Sequence, residues 1–208
     1  MKRFSLTIII ALCVMAMTAQ DAIKVNYKGA SPTINDFVSA LVASRENDDE
    51  EECVDEAFNA IAHAWDLYHK GLPLEEGTTL TIDEKNGYVL YEYRSEYESV
   101  EHLVKIELCY WNEADGKHKL LAYNVACFTN GNYSEGQFDG IYFYRYNNAT
   151  KKMTWCDDRR GLEAVYDYDV RHCFALPRTG KNITVTFWYE NGKKTEKTLK
   201  WDGHRFGF

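Results

Sequence analysis

The densest group of reactive side chains in this 208-residue sequence is Cys156-Asp157-Asp158-Arg159-Arg160, followed by Asp167, Asp169, Arg171, His172 and Cys173. A cysteine nucleophile needs a neighbouring base to draw off its proton, and His172 is the base at hand. A metal site would draw on Cys156, His172 and Cys173. Neither spacing matches a family signature, and the competing reading is a charged surface connection stitched by Arg–Asp pairs. A secreted hydrolase stays open as an alternative function, built on the Cys156/His172 neighbourhood or on two carboxylates flanking a glycosidic bond. Carboxylate separation is a spatial quantity that sequence does not fix. Convergence of Asp157, His172 and Cys173 in one cleft would favour that alternative.

The other clusters carry less chemistry. His63, Asp66 and His69 advance in steps of three, each turning about 60° round a helix, so the two imidazoles diverge by about 120°. Zinc helices space their pair by four, and no metal is expected here. Glu46 to Glu52 is an acidic run without the glycine turn of a calcium loop, and it reads as solvated. No Gly-x-Ser-x-Gly, His-Glu-x-x-His, phosphate-loop or dinucleotide fingerprint occurs, so no cofactor is expected. Asn132-Tyr133-Ser134, Asn148-Ala149-Thr150 and Asn182-Ile183-Thr184 match glycosylation sequons, which matter only in a cell that performs that chemistry.

Export is written at the N-terminus. Met1-Lys2-Arg3 precedes the uncharged stretch Phe4–Met17, and Ala16-Met17-Thr18-Ala19 supplies small residues before Gln20. This is the layout of a signal peptide over residues 1–19, leaving 20–208 as one domain. The apolar run falls short of the roughly 20 residues that span a bilayer, so no membrane span is expected after cleavage. The whole chain has 24 Lys+Arg against 32 Asp+Glu; losing Lys2 and Arg3 with the leader takes the net charge from −8 to −10. That balance argues against nucleic acid as a partner, since phosphate contact needs clustered basic residues. Five cysteines survive export, an odd number that makes a poor disulfide framework. Free thiols are expected, with Cys156–Cys173 the most plausible pair if one forms.

Thr33 to Asp36 reads as a capping box, and Ile34, Phe37, Val38 and Leu41 continue it as an amphipathic helix over 33–44. A second helix is expected from Cys53 to Lys70. Its stripe is Val54, Ala57, Phe58, Ile61, Trp65 and Tyr68, stopped by Gly71 and Pro73. Ile23, Val25 and Tyr27 alternate as a short strand. Beyond residue 78 the period becomes two, with hairpin turns at Asn86-Gly87, Asp115-Gly116 and Asn191-Gly192. A two-residue turn at Asp115-Gly116 pairs Val104 with Cys127, Ile106 with Val125, Leu108 with Tyr123 and Tyr110 with Leu121. All eight are then on one face. At Asn191-Gly192 a three-residue loop with Gly192 left-handed aligns Ile183 with Leu199 instead. The fold class expected is α+β, two N-terminal helices on a curved, mostly antiparallel β-meander, as a sandwich or partly open barrel.

The sequence resembles small uncharacterised exported proteins of gut-dwelling Gram-negative anaerobes. Tyr27–Ile34, Asp83–Val89, Cys109-Tyr110-Trp111-Asn112 and Leu199–Phe206 carry the resemblance. It implies bacterial export to the periplasm, cell surface or medium, and no site residue carries over. Tyrosine, phenylalanine and tryptophan make up 14% of the chain without a nucleophile, metal or cofactor signature beside them. The function expected is therefore binding of an extracytoplasmic ligand, carbohydrate or peptide. Trp111, Tyr142, Tyr144, Tyr146 and Trp188 are the candidate residues: the three tyrosines share one face of a strand apolar on both faces, and the two tryptophans project away from the expected main core. Two dispositions are open to them: burial by helices or by closure of the sheet, or an exposed platform of rings with polar tips.

Overall fold

A computed structural model describes residues 22–45, 56–136, 139–156, 158–166, 168 and 170–208. The export segment, the acidic run with Cys53, and Asp157, Asp167 and Asp169 lie outside these described residues. The helices are α1 (Ile34–Arg45), α2 (Glu56–His69) and α3 (Glu163–Tyr166). Among the described residues no helix is long and apolar enough to cross a membrane. The strands are β1 (Ile23–Lys24), β2 (Thr78–Asp83), β3 (Tyr88–Tyr97), β4 (Val100–Asn112), β5 (His118–Thr129) and β6 (Asn132–Tyr133). They continue as β7 (Gly140–Asn147), β8 (Lys152–Trp155), β9 (Arg171–Ala175), β10 (Ile183–Trp188), β11 (Lys194–Trp201) and β12 (Phe206–Gly207).

The helix ends obey their local chemistry. The Thr33 backbone N–H donates to the Asp36 carboxylate at 2.7 Å, and Asp36 N–H returns to the Thr33 hydroxyl at 3.4 Å. At the end of α2, Gly71 N–H bonds Tyr68 C=O and Leu72 N–H bonds Leu67 C=O, the paired bonds that close a helix through a left-handed residue. Gly71 takes φ +66° there. Phe58, Ile61 and Trp65 are buried as the stripe predicts, but Tyr68 is 50% exposed. It sits in the final turn, where its ring meets only the edge of His69 at 5.4 Å among the described ring contacts.

Eight strands form one antiparallel sheet, ordered β1-β8-β7-β5-β4-β3-β2 with β6 added on β5, and it curls as a half-barrel. Four strands form a second sheet, β12-β11-β10-β9. The expected β4–β5 register holds at all four pairs, and Ile183 stands opposite Leu199 across β10 and β11. Gly192 adopts φ +76° in that three-residue loop. One tight turn is unheralded by glycine or asparagine. Glu98 and Ser99, at φ +49° and +63°, join β3 to β4 with Tyr97 opposite Val100. Left-handed backbone is uncommon for such residues, so the long ladder on either side must hold it.

Each face of the large sheet is closed by a different layer. Ile34, Phe37 and Leu41 of α1 and Phe58, Ile61 and Trp65 of α2 share one buried cluster with Ile106, Leu108, Tyr123 and Val125. The opposite face, with Cys109, Trp111, Leu120, Ala122 and Phe143, packs on Phe174, Val185, Phe187, Leu199 and Phe206 of the small sheet. Leu162 and Val165, at and beside the unforeseen α3, complete that second core. Close approach there requires Gly161: a Cβ on it would stand 2.1 Å from the Phe206 carbonyl oxygen, and its φ is +88°.

Two polar residues are buried between the sheets. Glu107, 2% exposed, accepts from Tyr88 Oη (2.7 Å), Asn124 Nδ2 (3.1 Å) and Leu176 N–H (3.2 Å), and pairs with Lys105 at 3.1 Å. Asn124 also donates to the Phe174 carbonyl at 3.0 Å. These bonds satisfy outward-facing backbone groups at the β9 edge, so the small sheet docks through hydrogen bonds as well as apolar area. Burial, then the Glu107 charge, pushes the Tyr88 phenol far up.

Candidate functional site: two neighbouring clefts

Strand alternation distributes the candidate aromatics over both faces of the large sheet. Trp111 points at the small sheet, 4% exposed, its indole N–H donating to Lys181 C=O at 2.9 Å and its ring 5.1 Å from Phe206. Tyr144 and Tyr146 point at the helices, 8% and 0% exposed, because β7 pairs Leu121 with Tyr144 and so shares the helix-side face. Tyr146 meets Phe37 edge-on at 5.2 Å. These three rings are core, so of the two dispositions open to them burial is the one found. Tyr142 and Trp188 are only half-buried, and each lines a cleft.

The first cleft, about 770 Å³, opens where β10 ends and β9 begins. Arg171 and His172 of β9, Trp188 of β10 and the following Tyr189, Glu190 and Asn191 form one side. Tyr168, Val170 and Glu135 form the rest. The bulged loop positions the rim: Gly192 N–H returns to Tyr189 C=O and Tyr189 N–H to Lys193 C=O, which turns residues 189–191 toward the opening. Lys194 Nζ lies 3.7 Å from the Trp188 ring centroid, and Lys197 bonds the Tyr168 hydroxyl at 2.8 Å. The volume suits a small-molecule or oligomer site.

The second cleft, about 270 Å³, lies between β7, β8 and α3. Tyr142, Trp155, Tyr166 and Arg159 line it, with Cys156 and Asp158 beside them. Trp155 stands 5.5 Å from Tyr142, and the Arg159 guanidinium lies 4.1 Å over Tyr166. Tyr166 also touches His172 edge-on at 5.1 Å. His172 lines the first cleft and Tyr166 the second, so a ridge one ring pair thick divides them.

The nucleophile reading does not survive this geometry. The Cys156 sulfur accepts from Arg160 Nη2 at 3.4 Å, while His172 Nδ1 engages the Val170 carbonyl at 3.1 Å; each lines a different cleft. Burial pushes both the Cys156 and Cys173 thiols up, opposite to what an attacking thiolate needs. Cys173 leaves β9 on the face opposite His172, and Asp157 is outside the described residues. Cys109, Cys127, Cys156 and Cys173 are all free, so no Cys156–Cys173 disulfide forms. Burial, then Asp139, pushes the Cys127 thiol up to about 12.

One convergent carboxylate pair does exist. Glu113, Asp115 and His118 bring donor atoms within 4.8 Å of one another. Arg145 already clamps Glu113 at 2.8 and 2.6 Å and reaches Asp115 at 3.3 Å. His118 binds Asp115 at 2.5 Å and, with two backbone N–H donors, holds that carboxyl down to about 2. A general acid needs the reverse shift, and a cation would meet a guanidinium already in place. The cluster lines neither cleft; it pins the β4–β5 turn to β7. His63, Asp66 and His69 likewise part, to Glu75, Lys70 and the Trp65 carbonyl.

No family model, curated protein or solved structure matches the chain. The clefts were hidden from sequence because residues far apart build them: Glu135, Tyr168 and Trp188 meet only after both sheets dock. Glu107 and Asn124 did carry a signal. They stand opposite each other in the predicted register, flanked by Cys109 and Ala122, which marks a buried polar pair.

Proposed function

We propose that this is an exported, non-catalytic binding protein that holds an extracytoplasmic ligand in the first cleft. The two N-terminal helices serve as a closing layer rather than a binding surface. The observation that carries the reading is the meeting of three rings, Tyr168, Trp188 and Tyr189, with Arg171, His172 and Glu135 around one opening. Rings present apolar faces while the flanking groups donate and accept hydrogen bonds, which suits a ligand with both kinds of surface.

A carbohydrate fits better than a peptide. Peptides often bind by adding a strand to a free sheet edge. At β9, the edge beside the cleft, Asn124 and Glu107 already occupy the Phe174 carbonyl and the Leu176 N–H. Calorimetry against a panel of oligosaccharides and peptides tests the reading. A binder should be found whose affinity falls at least tenfold in both Trp188→Ala and Tyr168→Ala, with cooperative unfolding retained. Binding indifferent to both substitutions would contradict it.

A further inference from the structure

Among the features that carry no assigned role, the second cleft stands apart. The buried Glu113 cluster is saturated by Arg145, and the groove between β1 and α1 shows no feature that selects an occupant. The second cleft has two half-open or exposed rings, Tyr142 and Tyr166, with Trp155 and an exposed guanidinium, Arg159. At about 270 Å³ it lies at the lower limit for an independent ligand site. It touches the first cleft through the Tyr166–His172 ring contact. A pocket too small to act alone, one ring pair from a larger one, has the dimensions of a subsite.

Charge narrows the class of ligand. Glu135 and Glu190 in the first cleft are set against Arg171 and against Lys194 over the Trp188 ring; in the second, Asp158 is paired by Arg160 at 2.9 Å and Arg159 lies over Tyr166. Neither cleft has the basic excess that a sulfated or uronic chain would need, nor the acidic excess that a polycation would. Carboxylates and flanking cations in near balance beside ring faces match hydroxyl-bearing, uncharged rings.

We propose that the ligand is a neutral oligosaccharide long enough to cross the Tyr166–His172 ridge, with one end in the first cleft and the other in the second. This rests on the binding role of the first cleft. Joining two subsites through one chain raises affinity without any new contact in either. Affinity should therefore step upward at the length that first reaches Tyr166.

The experiment is calorimetry on the mature protein with graded β-1,4- and α-1,4-linked glucose oligomers and β-1,4-linked N-acetylglucosamine oligomers, from monosaccharide to hexasaccharide. In the series that binds, affinity should rise about tenfold to a hundredfold at one length increment. Tyr166→Ala and, separately, Arg159→Ala should remove that step while leaving the short members unchanged. Trp188→Ala should weaken every length. Arg159 is exposed, so its variant remains informative if Tyr166→Ala folds poorly. A flat length dependence with binding still sensitive to Trp188 would overturn the two-cleft ligand and leave the first cleft standing. Binding by no series, or binding indifferent to Trp188, would overturn both.

Discussion

On the helix side of the large sheet, Phe37, Ile61, Ile106 and Tyr123 close an apolar core, and the one buried charge on that face among the described residues, Lys119, lies 5.2 Å over the Tyr110 ring. On the other side an equally dry set, Trp111, Phe143, Val185 and Phe206, surrounds a buried Glu107 and Asn124. The helices add rows of side chains and no strand edge. The small sheet brings a backbone edge with it, and that edge must be satisfied by someone. Glu107 and Asn124 are therefore buried where a sheet meets a sheet, while Lys119 is the buried polar side chain of the helix side among the described residues. That side also holds the first cleft, where β10 ends and β9 begins, while the second lies at the β7–β8 edge beside α3.

The first way to break this contrast is to test whether both faces are equally core. Trp111→Ala should cost about 3–5 kcal/mol in urea unfolding, matching Phe37→Ala on the helix side. A loss under about 1 kcal/mol for Trp111 would return it to the surface and undo the two-core description.

Glu107→Gln sharpens the contrast. It removes the charge facing Lys105 and one of the two carboxylate oxygens that accept from Tyr88, Asn124 and Leu176, for a loss of about 1–3 kcal/mol. Hydrogen exchange should quicken in β9 and β10 and stay unchanged in α1. Uniform acceleration would mean that Glu107 supports the whole fold rather than the docking of one sheet. Thr33→Ala is the counterpart on the helix side. Losing the capping box should cost about 1 kcal/mol and loosen α1 while sparing the small sheet.

The smallest effect belongs to neither face. The Asp115 carboxyl, ordinarily near 3.8, is held down to about 2, first by His118. A depressed folded-state value stabilises above the unfolded one, so this contribution is intact near neutrality and above about pH 4. It disappears as the pH falls toward 2. Asp115→Asn should flatten the acid limb of the urea midpoint between those limits. An unaltered limb would show that other carboxylates govern acid unfolding.

These contrasts also explain how much the sequence disclosed. The β4–β5 register was legible because any one-residue slip would mix Ile106 and Tyr123 with Lys105 and Asn124. The bulge at Gly192 was legible because only that loop length faces Ile183 with Leu199. What covers Trp111 was not legible, since alternation shows that a face is apolar without showing which distant segment buries it. For the same reason alternation leaves open whether the five aromatic rings are buried or exposed, and register divides them between two cores and two clefts. The ridge between the clefts depends on α3, a single helical turn too short to show a period.

The central claim, that ligand enters at the seam beside the small sheet and reaches neither core, can be followed ring by ring. The measurement is a nitrogen–proton correlation spectrum of the tryptophan indoles, titrated with the oligosaccharide that calorimetry identifies. Trp188 in the first cleft and Trp155 in the second should shift to saturation along one binding curve, while Trp65 and Trp111, each buried, keep their positions. Movement of Trp65 or Trp111 with Trp188 unmoved would contradict the account.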